Sequence, residues 1–323
     1  TRVEGSEIME GALECAACGG TYPVRGGVPR FVEASGLAGT PGKKAGAFGW
    51  EWKAFPRVEE HHERQFLDWI APAGPETFAG RLVLEGGCGK GRHTRLAARY
   101  GAKAVIGVDL SEAVDVAYRN TRELANAHVV QADLLRLPVA PASLDYAFSI
   151  GVLHHLAEPG RGFASLSAVV RPGGAVSAWV YGAENNGWIV RVVSPLRGVL
   201  TSRLPPRLLY GVSFALAVPL WVALRLLYRP ARKRGMGWAR RLLFYESYLG
   251  YISDFPFHEI HHIVHDHLAA PVAHYLRRDE VEAWFREAGV AEPQIGWHNR
   301  NSWRGYGVLQ TQAGRTASAG RRS

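Results

Sequence analysis

Short apolar runs alternate with amphipathic segments over residues 48–182, and this alternation predicts a parallel α/β sheet. Five runs have strand character, in the stretches RLVLE, AVIGVD, HVVQAD, LDYAFSI and AVSAWVY. Strands of parallel sheets are covered on both faces, so they are typically continuous apolar runs, and the segments between them form helices. The predicted fold class is therefore α/β with a doubly wound, mostly parallel sheet.

The pattern continues after a long interruption. RRDEVEAWFREAGV is predicted to be an amphipathic helix that ends at Gly289. Two short strands are predicted around Gln294–His298 and Tyr306–Thr311. The polar tail of small residues, 313–323, is predicted to be disordered.

These patterns divide the chain into six segments. A segment with the CxxC pair spans 1–33, and a linker with an N-terminal helical part spans 34–80. The core spans 81–182 and the cap insertion 183–275. The C-terminal part of the core spans 276–312, and the tail spans 313–323.

A glycine-rich turn follows the first core strand. Glu85 precedes Gly87, Gly89 and Gly91, and a helix is predicted from Arg92. Glycines allow a sharp turn and close approach to a ligand. Arg92 stands where a dinucleotide fingerprint needs its third glycine, and a phosphate-binding loop would need G-K-[ST]. An acidic residue before the glycines disfavours a pyrophosphate and suits a cationic ligand such as a sulfonium amino acid.

Two further carboxylates end strands of the same sheet. Asp109 ends the second strand, where a carboxylate can accept hydrogen bonds from both hydroxyls of a ribose, and Asp133 ends the third, where it suits an adenine amino group. Ligands of such sheets lie outside the carboxyl ends of the strands.

Residues 82–181 resemble class I methyltransferases, especially the ubiquinone and menaquinone C-methyltransferases. The matching pieces are EGGCGKG, GVDLS, QADLLRLP, SIGVLHHL and VRPGG, in family order and spacing. The resemblance implies a seven-stranded sheet, S-adenosylmethionine as the cofactor, and a helical cap inserted after strand 5. It also implies that the following residues bind the cofactor: Glu85, Gly86, Gly87, Gly89, Gly91, Asp109, Leu110, Asp133, Leu134, Ile150 and Gly151.

The resemblance implies methyl transfer to a small or lipophilic acceptor. A general base is needed only if the acceptor must lose a proton. Candidates in order of preference are His154, His155, Asp266, His274 and Tyr275. The alternatives are a different reaction of the same cofactor and a catalytically silent cofactor-binding protein.

The three cysteines do not make a disulfide framework, which predicts a reducing compartment, the cytoplasm. The segment LECAACGGTYPVRGGVPRFVE, with Cys15 and Cys18, resembles the second half of a zinc ribbon. A ribbon needs four ligands, and Cys88 lies in the glycine loop. Either a first pair precedes Thr1 or the ribbon has decayed, and we predict no bound metal.

Two apolar segments flank the core. FGWEWKAF, residues 48–55, either packs over the cofactor or anchors the N-terminus. Leu208–Leu224 has no charged residue, contains Pro219, and is bordered by Arg207 and Arg225. It is slightly short for a membrane span. Cap helices, an interfacial membrane helix and a true span all remain open, and the predicted membrane contact is 205–228.

A histidine-rich run follows within the insertion. Its i,i+4 pairs could chelate a metal, but a wall of the acceptor pocket is favoured because two ligands are too few for a stable site. Members of the resembled family often have a D-x-x-x-P segment with an aromatic residue at this point. Asp266, Pro271 and Tyr275 match that segment loosely. The histidines are His258, His261, His262, His265, His267 and His274.

The net charge is +9 and the pI is about 9.6. A basic chain suits anionic partners, but the Lys and Arg residues are spread along the sequence. We therefore do not expect a nucleic acid partner. The sequence does not specify the oligomeric state.

Overall fold

The computed structural model describes residues 1–5, 7–32, 40–199, 201, 204–270 and 273–311. The predicted tail 313–323, part of the predicted linker and Pro271 lie outside them. The strands within the described residues are β1 Arg2–Glu4, β2 Glu7–Glu14, β3 Thr21–Arg25, β4 Val28–Pro29, β5 Leu82–Gly86, β6 Ala104–Asp109, β7 Ala127–Gln131, β8 Leu144–Ile150, β9 Val170–Tyr181, β10 Gln294–His298 and β11 Ser302–Val308.

The helices alternate with the core strands and then fill the insertion. They are α1 Thr40–Ala54, α2 His61–Ile70, α3 Arg92–Arg99, α4 Val114–Thr121, α5 Pro159–Ala168, α6 Ser194–Val199, α7 Pro206–Ala223, α8 Arg229–Lys233, α9 Gly237–Leu242, α10 Glu246–Ile252, α11 Phe257–Ala269 and α12 Arg278–Glu287. A π-helical turn, Leu224–Tyr228, joins α7 to α8.

The main sheet has seven strands in the order β10-β11-β9-β8-β5-β6-β7. The neighbours from β7 to β9 are parallel. The predicted doubly wound, mostly parallel seven-stranded sheet is confirmed. Because β5 lies between β6 and β8, the strand order reverses there, and a ligand crevice is expected at that point.

Aromatic side chains fill the core on one side of this sheet. Phe66 on α2, Phe78, and Tyr146 and Phe148 on β8 are all fully buried. The ring centroids of Phe66 and Phe148 are 5.3 Å apart. Truncating one of these rings to alanine would cost about 3–5 kcal/mol, so α2 is held firmly on the sheet.

The first 32 residues form a four-stranded antiparallel sheet that packs beside β7. Val28 is fully buried in a cluster with Val114, Ala117 and Val129. The Phe31 amide donates to the Gln131 carbonyl over 2.7 Å. The small sheet therefore covers the edge of the main sheet, where unpaired backbone groups would otherwise face water.

The chain divides into two compact units. The first contains Thr1–Val180, Arg278–Gly296 and Trp303–Ser323, and the second contains Tyr181–Arg277 and Trp297–Ser302. The predicted insertion, 183–275, falls within the second unit. There α7 packs against α11, and a second apolar cluster surrounds Leu224, Ile252 and Ile260.

The C-terminal helix and first strand lie where the sequence predicted them, but the last strand is displaced. It begins at Ser302, before the predicted Tyr306. Asn299 and Arg300 both have positive φ, 47° and 55°, so the chain reverses over two residues after β10. An arginine rarely takes that conformation, which is why the turn gave no signal in the sequence.

Candidate functional site

The loop after β5 folds across the end of β6. The amides of Gly87 and Cys88 donate to the carbonyl of Val108, over 2.7 and 2.9 Å. The amide of Gly89 donates to Oδ2 of Asp109 over 2.9 Å. The loop is thus fixed to the neighbouring strand by backbone donors.

Two glycines of this loop are required by geometry. Gly87 has φ +81°, and a Cβ there would lie 2.2 Å from Cγ2 of Val152. Gly91 has φ +77° as the N-cap of α3, and a Cβ there would lie 3.0 Å from Cα of Ala117. Other residues avoid this region of φ, so the local sequence determines the turn.

The predicted cofactor residues come together at the carboxyl ends of four strands. A Cβ on Gly86 would lie 2.8 Å from Leu134, the residue that opens the 3-10 turn after β7. The loop after β8 reaches Gly87 through Val152, and its Gly151 has φ +74°. The four loops therefore surround one cradle.

The two strand-end aspartates already have protein partners. Oδ1 of Asp109 accepts from the amide and the hydroxyl of Ser111, over 2.8 and 2.7 Å. Oδ1 of Asp133 accepts from the Leu135 amide over 2.9 Å. The Leu110 carbonyl accepts from Nε2 of Gln131 over 2.9 Å. These bonds fix the loops after β6 and β7, and the proposed ribose and adenine roles remain predictions.

Glu85 faces α3, and its side chain is almost fully buried. Oε1 lies 2.9 Å from Nδ1 of His93, and Oε2 accepts from the hydroxyl of Thr94 over 2.5 Å. Burial raises the pKa of Glu85 to about 8, although the Thr94 hydroxyl and the Arg92 charge oppose the rise. Burial holds the pKa of His93 well below its usual range.

The sequence interpretation placed a negative charge on Glu85, whereas burial favours its protonated carboxyl at neutral pH. The pair Glu85–His93 is then neutral, since both pKa shifts disfavour the charged forms. The role of Glu85 in holding the methionine moiety stays a prediction.

Helix α1 lies over the loops after β5, β6 and β8. A Cβ on Gly89 would be 2.8 Å from the ring of Trp52, and Lys90 donates to the Phe55 carbonyl over 3.0 Å. Phe48 packs on His155 with centroids 5.1 Å apart. The segment FGWEWKAF thus packs on the ligand end of the sheet, and both of its interpretations, a cover over the cofactor and an anchor of the N-terminus, stay predictions.

His154 and His155 lie in the 3-10 turn directly after β8. His154 is fully buried, with its ring 6.3 Å from that of Trp179 and 4.3 Å from that of His155. Both imidazoles are therefore at the ligand end of the sheet. Their catalytic role is not tested by these contacts.

The other candidate bases lie in the second unit. Tyr181 donates to Oδ2 of Asp266 over 2.9 Å, and its ring stacks on Tyr275 at 5.8 Å. Burial and the nearby Asp266 hold the pKa of Tyr181 well above its usual range, so the phenol remains a donor. His274 is half-buried and adjoins Tyr275 in sequence.

Sequence reasoning missed Tyr181. Its signal was its place as the last residue of β9, at the carboxyl end of a core strand. It interacts with two of the five candidates, Asp266 and Tyr275.

The histidine-rich run forms α11, and two of its imidazoles face α7. Nε2 of His261 and Nδ1 of His265 lie 3.0 and 3.2 Å from Oγ of Ser213. Burial lowers the pKa of both, that of His265 to about 4. These neutral imidazoles are used in helix packing, and the acceptor-wall role of the run stays a prediction.

The cysteines lie in two separate places. Cys15 and Cys18 flank the turn between β2 and β3, where backbone amides of Cys18 and Ala17 lower the pKa of Cys15. Cys88 is buried in the glycine loop, and burial raises its pKa well above the usual value. The CxxC thiols could supply two ligands to a metal, while Cys88 is committed to packing.

Comparison with known proteins agrees with this site. Residues 84–178 match the family model described as a methyltransferase domain. The tRNA U34 carboxymethyltransferase of Cellvibrio japonicus is 36% identical over 98 residues, 29% of this chain and 30% of that protein. Its namesake from Methylococcus capsulatus is 35% identical over 115 residues, 34% of this chain and 36% of that protein.

Among solved structures, the magnesium protoporphyrin IX methyltransferase of Synechocystis with bound S-adenosylhomocysteine has a TM-score of 0.47. It is 15% identical and covers 80% of this chain and 93% of that one. The chain spans about a third of the length of the two curated relatives. The segment that carries the glycine loop and the strand-end aspartates is thus similar to a methyltransferase domain, and it lies in a doubly wound, mostly parallel sheet.

Replacing Gly87 with alanine should destabilise the protein by about 2–5 kcal/mol, because the new methyl group adds overlap with Val152 to backbone strain. Gly80 is the matched control, since it has φ +69° and no atom within 4 Å of its Cβ position. Gly80→Ala should cost only about 1–2 kcal/mol, the strain alone. Urea unfolding measures both. Equal losses would show that Val152 moves aside freely.

The contribution of Glu85 to the unfolding free energy should fall as pH rises, because the pKa of Glu85 is raised in the folded state, whereas the lowered pKa of His93 acts in the opposite direction. The stabilisation is complete below the ordinary value near 4.5 and is lost as pH rises through about 8. Glu85→Gln should remove this dependence, which amounts to roughly a few kcal/mol. Urea unfolding at several pH values measures it, with the exposed Glu158→Gln as control. Parallel curves for wild type and Glu85→Gln would contradict the prediction.

Proposed function

We propose that the whole protein is an S-adenosylmethionine-dependent methyltransferase. The observation that supports this most is the cradle at the carboxyl ends of β5, β6, β7 and β8. Its glycines let the loops after these strands pack closely together, and the carboxylate of Asp109 lies at the end of β6 beside them. The matched methyltransferase domain covers the same residues.

The residues present suit this cofactor by their chemistry. Asp109 would accept hydrogen bonds from ribose hydroxyls, and Asp133 with Leu134 would frame the adenine. The remaining part of the cradle, Ile150 and Gly151, would line the ligand. The cofactor, when bound, supplies a methyl group on a sulfonium, which is already activated. The chain then has mainly to orient the reactants and exclude water.

The base, where the acceptor must lose a proton, would be a group held in one orientation. Asp266 has that arrangement, since Tyr181 donates to its Oδ2. His154 and His155 lie in the first unit, at the end of β8, together with the cradle. We therefore keep His154 as the first candidate for the base, and Asp266 stays an alternative.

Two acceptor classes fit the observations. A small or lipophilic acceptor follows from the resemblance to quinone methyltransferases. RNA as methyl acceptor is the second candidate, because two relatives bear the name tRNA U34 carboxymethyltransferase. Their likeness covers only about a third of their length, so the earlier expectation against nucleic acid becomes a question for experiment. The compartment we propose is the cytoplasm.

Asp109→Ala should weaken binding of S-adenosylhomocysteine by about 1.5–3 kcal/mol, because a charge-assisted hydrogen-bond acceptor is lost. Isothermal titration calorimetry measures the affinity. Ser111→Ala is the control, since it removes one donor to Asp109 and leaves the carboxylate. Wild-type protein that does not bind would refute the function. Equal affinities of wild type and Asp109→Ala would refute the ribose assignment alone.

His154→Gln should lower kcat by about 100-fold or more and leave the affinity for S-adenosylhomocysteine unchanged, because the amide can hydrogen-bond but is not a base. The acceptor class is found first, by incubation with methyl-labelled S-adenosylmethionine and either a lipid extract or bulk tRNA. Label in lipid supports the first class, and label in tRNA the second. An unchanged kcat, with Asp266→Asn inactive, would transfer the role to Asp266.

A further inference from the structure

The second unit carries one long helical segment, Pro206–Lys233, which we call the rod, and the sequence around it is basic. Between Glu184 and Glu246 the sequence has eleven Lys and Arg residues and no Asp or Glu. Pro206–Lys233 is helical throughout, and only 22% of its most apolar window is buried. By length and composition this helix could cross a membrane.

One polar side chain of the rod, Ser213, is turned inward between apolar ones. The buried stripe of α7 consists of Leu209, Ser213 and Ala217, and Ser213 meets His261 and His265 on α11. The outward side chains are large and apolar, 42–69% exposed: Leu208, Phe214, Leu216, Val218, Val222, Leu226 and Leu227. A helix on a water-soluble surface has the opposite arrangement. The outward face therefore suits a medium less polar than water.

The chain after the rod extends this pattern. Trp238, Leu242 and Phe244 are 71%, 79% and 60% exposed, next to Arg240 and Arg241. Exposed apolar side chains beside cationic ones are typical of segments that lie at a bilayer interface.

A span across the bilayer does not agree with the packing of the rod. The uncharged run Leu208–Leu224 has 17 residues, about 26 Å of helix, which is less than the ~20 residues a span needs. It packs along α11, whose five histidines, Glu259 and Asp266 would then enter hydrocarbon at high cost. Arg225, at the end of the run, also donates to the Phe255 carbonyl over 3.0 Å. These contacts favour a helix that lies on the surface.

We propose that this face, which we define as the outward side chains of 208–227 with the exposed Arg207, Arg234 and Arg241, docks on an anionic phospholipid bilayer. Charge complementarity selects this occupant. Two copies of the chain would bring two sets of cations together with no acidic residue in either segment. RNA would meet the cations, but it would leave the aliphatic side chains in water. The inference does not depend on methyl transfer.

The test is cosedimentation of the full chain with vesicles of phosphatidylcholine alone or mixed with phosphatidylglycerol. Wild type should bind the anionic vesicles and bind neutral ones far more weakly. The triple variant Arg207→Gln, Arg234→Gln, Arg241→Gln should bind anionic vesicles about 100-fold more weakly, since each basic residue near the surface contributes a factor of about five. Added salt should weaken wild type and change this variant much less.

The apolar part is tested by Leu208→Gln, Leu216→Gln and Leu226→Gln together, which should lower binding at least tenfold because apolar area no longer enters the interface. The control Val3→Gln, Val308→Gln changes side chains of similar exposure, 54% and 48%, and should bind as wild type does. If the leucine variant fails to fold, by circular dichroism, the arginine variant still decides. Release of wild type from vesicles without detergent distinguishes surface docking from a span.

Four results would overturn the proposal. The first is absence of vesicle binding by wild type, and the second is equal binding to neutral and anionic vesicles. The third is a dimer in sedimentation velocity that the leucine variant abolishes, with no vesicle binding, which would assign the face to a second copy. The fourth is tRNA binding lost in the arginine variant, with no vesicle binding, which would assign the cations to RNA.

Discussion

The turn of the glycine loop across the end of β6 is the constraint on which the site depends. Two amides, of Gly87 and Cys88, converge on the carbonyl of Val108, and a third reaches Asp109. The backbone can make these bonds only through positive φ, with no Cβ where Val152 stands. Because α3 begins at the end of this loop, one local geometry fixes strand, loop and helix together.

Two buried acidic groups, Glu85 and Cys88, lie close to Asp109 at this loop. Burial raises the pKa of both Glu85 and Cys88, and the charge of Asp109 raises each further. A buried carboxyl in a cluster of acidic groups holds its proton more tightly, because two neighbouring negative charges repel at low dielectric. The neutral Glu85 then ties β5 to α3 through His93 and Thr94, while the carboxylate of Asp109 is left at the strand end.

In the second unit, the contact between α7 and α11 buries polar groups. Ser213 and two imidazoles of α11 satisfy one another inside, so polar groups that would be costly to bury alone become a helix contact. Phe214 and Trp221 reach Phe257 on α11 at the edge of this contact, while Leu208, Leu216, Val218 and Val222 remain outside. An outward face of this kind is stable in water only as part of a larger folded unit, which the cluster around Leu224 and Ile260 supplies.

The sequence alone determined the elements whose signals are local. Apolar runs predicted the five parallel strands, and the glycines with Arg92 predicted the loop and the start of α3, because φ and the spacing of apolar residues are set within a few residues. Because the carboxyl ends of parallel strands meet at one edge of the sheet, the sequence also placed Asp109 and Asp133 at that edge. Glu85 was correctly placed on its strand, but its protonation was not.

What the tertiary structure decided were the relations between distant residues. The proton on Glu85 follows from burial under α3, and the role of Tyr181 follows from Asp266, 85 residues away. Likewise, α7 has no strong amphipathic pattern, and only its packing on α11 distinguishes an inward serine from an outward leucine. Burial and electrostatics depend on the neighbours that folding brings, so periodicity alone could not reveal them.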